Sequence, residues 1–228
     1  MTEFAFSQKW RLPLLRHAVA VKEQRFLRRL FFMRRNLVKP REYAIMGKNA
    51  ALRRESGETP SMDQSPALWE ARAMLENLTP LKSDCGKRCG HACCQSPAEE
   101  EQGMLLFPGE ADYYRNREGY RLVPCAQGTL LICPGRCRRE ERPLSCRLFP
   151  LLPLIRQGGV IPAMDRRGRS VCPLVRQGME ALDPAFVAAV ARAGEVLLAE
   201  AEQAAFLRML TAEQDEWARL SQALGAER

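Results

Sequence analysis

Apolar residues recur along this chain at two different periods, and each change of period marks where one kind of element gives way to another. From Phe4 to about Leu37, Trp10, Leu14, Leu15, Phe26, Leu30 and Phe31 are interleaved with arginines, the pattern of one or two basic amphipathic helices. Residues 47–66, GKNAALRRESGETPSMDQSP, have no apolar period and read as a linker. Ser65-Pro66 is an N-cap followed by proline at the first helical position, which predicts a short helix to about Leu78. Further on, MLLF (104–107) reads as a strand and PGEADYYRN as a turn leading into a helical segment. RLVPCAQGTLLIC (121–133) and LLPLIRQGGVIPAM (151–164) each place two β-prone runs around a turn, at Gln127-Gly128 and Gly158-Gly159. Pro153 and Pro162 restrict the second hairpin to edge strands.

The C-terminal third returns to helical spacing. Asp183-Pro184 opens a run over 185–210 with Phe186, Val190, Leu197, Ala201, Ala204 and Leu207 on one face. Thr211 with Gln214 predicts a capping box that starts a last helix carrying Trp217, Leu220 and Leu224. The predicted class is therefore α+β, with a loop-and-hairpin body packed with helices and covered by a C-terminal α-hairpin.

Charge divides the chain in two. Of its 35 Lys/Arg and 27 Asp/Glu, residues 1–60 hold 14 and 5, so the remainder is close to neutral. The basic character belongs to an N-terminal arm and linker (1–61), and the cysteine-bearing body with its helices occupies 62–228. A near-neutral body disfavours nucleic acid as the partner. No apolar run reaches the ~18 residues of a transmembrane span, and Lys9, Arg11 and Arg16 interrupt any secretory apolar region. A cytoplasmic location is expected. Clustered thiols in a reducing compartment point to metal binding or redox work more than to structural disulfides.

The nine cysteines carry the candidate chemistry. DCGKRCGHACC (84–94) holds four of them, and three pairs share one spacing of three intervening residues: Cys85–Cys89, Cys89–Cys93 and Cys133–Cys137. The two-residue spacing of exchange-active dithiols is absent from all three, whereas structural zinc tolerates two to four. On a continuous helix Cys85, Cys89 and Cys93 would share a face, but Gly86 and Gly90 would each cost about 1 kcal/mol there. A loop around a metal is expected instead, with glycine letting backbone N–H groups approach thiolate sulfur. The pairs Cys133-Pro134 and Cys172-Pro173 match the Cys-Pro that ends some iron–sulfur ligand runs. In CPGRCRREERPLSCRLFP (133–150), Cys133, Cys137 and Cys146 lie among five arginines, of which Arg142 and Arg147 are candidates to balance thiolate charge. With only His17 and His91 in the chain, any site is dominated by sulfur; His91 lies inside the cluster and could ligate, but reads more readily as a solvated loop residue.

These motifs resemble the YkgJ-like cysteine-cluster family of zinc- or iron-chelating domains, whose hallmark is a cysteine run ending in Cys-Cys followed by an RPxxCRxFP segment. The matching residues are Cys85, Cys89, Cys93 and Cys94, RPLSCRLFP from Arg142 to Pro150, and Cys172 in DRRGRSVCP, spanning about 78–175. The spacing of the first cysteines is wider here than in the family, and the aromatic residue expected between Cys137 and Arg142 is missing. The resemblance implies a metal-stabilised body whose ligands come from Cys85, Cys89, Cys93, Cys94, Cys133, Cys137, Cys146 and Cys172. Either Cys125 and Cys133 or Cys133 and Cys137 match the family's middle pair; the latter are favoured because they flank a Pro-Gly turn, which leaves Cys125 as a small buried apolar residue on a strand. Cys93 and Cys94, being adjacent, are expected to diverge and to serve one metal each. The two halves of the set are expected to meet in a shared centre or in two centres packed side by side. The bound group is zinc or iron, the latter including a [4Fe–4S] cluster. The alternative function is an iron–sulfur component of a protein-modifying enzyme, since the same domain is similar to part of flagellin lysine N-methylases. No glycine-rich nucleotide fingerprint and no assignable catalytic set accompany it.

Overall fold

The structure, a computed structural model, describes residues 65–95, 103–135 and 137–223. The N-terminal arm, the linker and the boundary between them and the body lie outside the described residues. Helices and antiparallel sheets are both present, so the class is α+β.

Helix α1, Pro66–Met74, starts where the sequence places it, with the Ser65 side chain accepting from Leu68 N, though it ends a turn early. The strands β1 (Met104–Leu105), β2 (Arg121–Cys125) and β3 (Gly128–Ile132) form one antiparallel sheet in the order β1-β3-β2. A single-turn helix α3, Ala111–Tyr114, lies between β1 and β2, and the equally short α2, Gly86–Cys89, precedes them. Helix α4, Leu144–Leu148, leads into β4 (Leu151–Arg156), which pairs with β5 (Gly159–Met164) as a two-stranded ribbon. The ribbon turns at Gln157 and Gly158, both with positive φ, as a two-residue hairpin turn requires. After α5 (Pro173–Gln177), α6 (Pro184–Leu198) and α7 (Ala201–Ala223) form the C-terminal hairpin. Among the described residues, no helix is long and apolar enough to cross a membrane.

The ribbon shows how prolines are accommodated. Pro153 faces Pro162 across the ladder, so neither missing N–H falls on a hydrogen-bonded position. The outward N–H groups of the next non-hydrogen-bonded pair, Ile155 and Val160, are met from the helices: Ile155 N donates to Thr211 Oγ1 at 3.0 Å and Val160 N to Glu195 Oε1 at 2.8 Å. Thr211 therefore does not cap a helix. The break predicted at 210–211 falls instead at Ala199–Glu200, and α7 runs through Thr211 because its hydroxyl is engaged by β4. Gln214 is likewise buried and bonded to Asp165 and Arg166 N. Helix α6 lies so close to the ribbon that a Cβ on Gly194 would come within 2.4 Å of Val160 and 2.6 Å of Pro153.

One apolar core joins Leu68, Ala71 and Leu75 of α1, Leu144 and Leu148 of α4, Leu151, Leu152 and Leu154 of β4, and the inner faces of α6 and α7. Within it sits an ion pair. Arg72 bonds the Glu110 carboxylate, which is fully buried and also accepts from Leu144 N at 2.7 Å and Phe107 N at 3.4 Å. Arg72 lies over the rings of Trp69 and Tyr113, at 5.0 and 5.3 Å from their centroids. Burial pushes Glu110 above the usual carboxylate range, against the pull of Arg72 and of the backbone donors. The pair thus ties three segments together by geometry while its charges resist desolvation.

Arg72→Met is expected to cost about 3–5 kcal/mol, because it strands a buried carboxylate. Glu110→Gln keeps an acceptor for Leu144 N and should cost less, roughly 1–3 kcal/mol. Urea unfolding of both variants checks the ranking, and equal losses below ~1 kcal/mol would show that the pair holds nothing together.

Candidate metal centre

The first cysteine segment is a loop with one helical turn in it, as the two glycines predict. Asp84 Oδ1 accepts from Gly86 N at 3.0 Å and starts α2, and Gly90 ends it at φ 63°. His91 also takes positive φ, its N donating to Gly86 O at 2.9 Å, and a 3₁₀ turn over Ala92–Cys94 follows. Gln95 Nε2 closes the segment onto Gly90 O at 2.7 Å. The reason for Gly86 differs from the one expected. A Cβ there would lie 2.2 Å from His91 Nδ1, so glycine makes room for an imidazole that is half-buried against it, where a solvated histidine was expected.

The second segment leaves β3 at Ile132 and turns at Gly135, φ 81°. That turn packs on the first segment: a Cβ on Gly135 would be 3.5 Å from Cys94 O. The chain then enters α4, which carries Cys146, and later a 3₁₀ turn over Arg166–Ser170 delivers Cys172, whose N donates to Gly168 O at 2.8 Å.

Three stretches distant in sequence therefore meet. A cavity of about 60 Å³ is lined by Cys85, Cys89, Cys93, Cys146 and Cys172, with Arg88, Arg139, Arg142 and Arg147 and an apolar wall that includes Leu78, Phe149 and Leu174. Cys94, Cys133 and Cys137 adjoin it, with Cys146 in electrostatic contact with all three. Eight of the nine cysteines, the eight candidates, fall in this one region. Cys125 sits at the end of β2 opposite Gly128, on a strand as expected but half-buried where a buried residue was expected. The Cys93 and Cys94 sulfurs have not moved far apart; they stand 4.0 Å from each other. Cys89 Sγ lies 3.8 Å from Cys85 O and 3.9 Å from Gly86 O. Among the described residues, no three His, Cys, Asp or Glu side chains stand close enough to hold one ion between them as they lie.

Electrostatics separates the thiols. Burial, with Cys137, Cys94 and Cys133 nearby, pushes Cys146 well above the ordinary thiol value. Burial also raises Cys85, with Asp84, Cys89 and Cys172 adding to it and Arg142 opposing. Cys94 goes the other way: a hydrogen bond from the Cys93 thiol, aided by Arg142 and His91 against the effect of burial, brings it down to about 6. Burial works against the charge of Arg142, yet Cys137, Cys94 and Cys146 beside it outweigh this and hold it above its ordinary value. Arg142 is thus a guanidinium set among thiols. Arg147 also borders the cavity, but its donors go to the backbone: Nε to Arg142 O at 3.0 Å, and its terminal nitrogens to Arg72 O at 3.0 Å and Glu140 O at 2.9 Å. It braces the segment that carries Cys146.

Three participants escaped the sequence reading. Glu110, Arg72 and Arg139 position the cysteine segments without a motif of their own, Arg139 by donating to Glu76 O and Leu78 O beyond α1. Arg139 falls in the arginine-dense stretch 138–147, but no local signal in the sequence marks Arg72 or Glu110. Comparison with protein-family models, with curated proteins and with solved structures finds no match.

Gly86→Ala should destabilise the 85–94 loop by roughly 1–3 kcal/mol through its clash with the His91 ring. His91→Ala in the same chain should restore most of the loss. Thermal unfolding of the single and double variants reads this, and a double variant no better than Gly86→Ala would show that the imidazole is not what requires glycine.

Proposed function

We propose that this chain is a metal-binding cysteine-cluster protein of the YkgJ-like kind, whose thiolates hold zinc or iron, the latter as an ion or as a [4Fe–4S] cluster. The observation that carries the reading is the convergence of Cys85, Cys89, Cys93, Cys94, Cys133, Cys137, Cys146 and Cys172 from three stretches of chain onto one region. Sulfur is the only donor type gathered there in number, and thiolates select zinc, copper(I) and iron–sulfur groups over hard cations. The site's charge is arranged to suit it as well. Unscreened thiolates repel one another, and Arg142 lies among Cys94, Cys137 and Cys146, where it would offset the net negative charge of a tetrathiolate centre. Nine free thiols, eight of them in this arrangement, suit a reducing compartment, which supports a cytoplasmic location.

The donor set fits such a group, with rotation of the cysteine side chains needed to bring sulfurs onto a common centre. When bound, the group would cross-link the segments at 85–94, 133–146 and 172 and supply roughly 10 kcal/mol or more of folding free energy. The loop at 85–95 and the turn at 133–137 have few core residues of their own, in contrast to α1, α6, α7 and the β4–β5 ribbon.

Full-length protein purified without oxygen and assayed for metal and acid-labile sulfide tests the reading. Zinc or iron without sulfide, or iron with equimolar sulfide and brown colour, is the expected result, and protein free of both metals would overturn it. Removal of the metal should abolish hydrogen-exchange protection in 85–94 and 133–146 while leaving α6 and α7 protected. Protection unchanged throughout would remove the structural role.

A further inference from the structure

Beside its thiols, the cavity carries fixed charge of one sign. Arg88, Arg139, Arg142 and Arg147 line it, and no Asp or Glu does. The acids nearby are occupied elsewhere: Glu110 is taken by Arg72, Glu140 and Glu141 by Arg138, and the exposed Asp84 caps α2. Arg139 and Arg147 are held by backbone carbonyls, which accept hydrogen bonds without cancelling charge. Arg88 and Arg142 form no ion pair among the described residues. A metal at the thiols leaves a surplus, since four thiolates around zinc or a [4Fe–4S]²⁺ cluster carry a net charge near −2 against four guanidinium groups. The rest of the wall is apolar and includes Leu78, Phe149 and Leu174. A space of about 60 Å³ takes roughly four to six non-hydrogen atoms.

We infer that the cavity binds a small organic monocarboxylate of about three to five carbons, its head on Arg88 and Arg142 and its chain against Leu78, Phe149 and Leu174. The planar guanidinium fork matches a carboxylate, and an apolar lining with a few convergent polar groups is the general form of a small-molecule site. Inorganic phosphate or sulfate would satisfy the arginines and leave the apolar wall wet. A neutral molecule of the same shape would leave the arginine charge without a partner. The inference uses the arginines and the apolar wall, so it goes beyond the metal reading and holds whether the thiols carry zinc, iron or neither.

Saturation-transfer NMR of the full-length chain, purified without oxygen, with acetate, propionate, butyrate and butyramide tests it. Butyrate should bind with a Kd of roughly millimolar order. It should bind at least about tenfold tighter than butyramide, because only the acid meets the guanidinium charge. Each methylene from acetate to butyrate should tighten binding about fourfold. Arg88→Gln changes an exposed side chain and should spare the fold while weakening butyrate by about threefold to tenfold, with butyramide unchanged. Arg88→Lys should recover part of the loss. No saturable binding of butyrate would overturn the inference, as would equal affinity for butyrate and butyramide, which means an apolar slot without charge recognition. Acetate binding as tightly as butyrate would overturn the role of the apolar wall, and an Arg88→Gln chain with full affinity would overturn the placing of the carboxylate. Metal content of the same preparation reports on the thiol reading separately, so either reading can fail without the other.

Discussion

The Arg72–Glu110 pair is the constraint on which the rest of the arrangement depends. It binds α1 to the turn after β1 and, through Leu144 N, to the first residue of the helix that carries Cys146. Arg147, three residues further along that helix, completes the joint by donating to Arg72 O. A charged pair with no exposed surface on the carboxylate is a costly way to connect three segments, since burial opposes its ionisation. What it provides is direction. Apolar contacts would tolerate several rotations of a five-residue helix, whereas a carboxylate accepting from two backbone N–H groups and a guanidinium fixes one.

From that joint the thiol region follows. With α4 set, Cys146 borders a cavity whose opposite wall is the 85–94 loop, and Arg139 ties the chain beyond α1 back to the same place. The arginines divide the labour. Arg72, Arg139 and Arg147 spend their donors on carboxylate or backbone oxygen and hold the frame, while Arg142 lies among sulfurs. A region so rich in thiols needs that separation, because guanidinium groups fixed to carbonyls cannot turn to follow changes in thiolate charge.

Local chemistry made much of the fold legible. Ser65-Pro66 and Asp183-Pro184 cap helices as their side chains require, Asp183 accepting from Ala185 N at 2.9 Å, and the two hairpins turn within a residue of the glycines that mark them. The candidate thiols were readable from spacing and from the Cys-Cys and RPLSCRLFP motifs, and the structure brings all eight into one region. What escaped depends on partners far along the chain. Thr211 and Gln214 carry the signature of a capping box, but β4 and Asp165 claim their side chains, so the helix passes through them. Arg147 looked like a partner for thiolates and is instead occupied by three carbonyls, and Glu110, in a stretch with no motif, proved central. A buried ion pair separated by 38 residues leaves no local pattern to read.

X-ray absorption at the metal edge of the anaerobically purified full chain measures the central claim, that sulfur from these converging cysteines holds a metal. The account predicts a first shell made of sulfur alone, near 2.3 Å, about the zinc–thiolate distance, with an additional iron–iron shell if the group is a cluster. A first shell dominated by nitrogen or oxygen would contradict it.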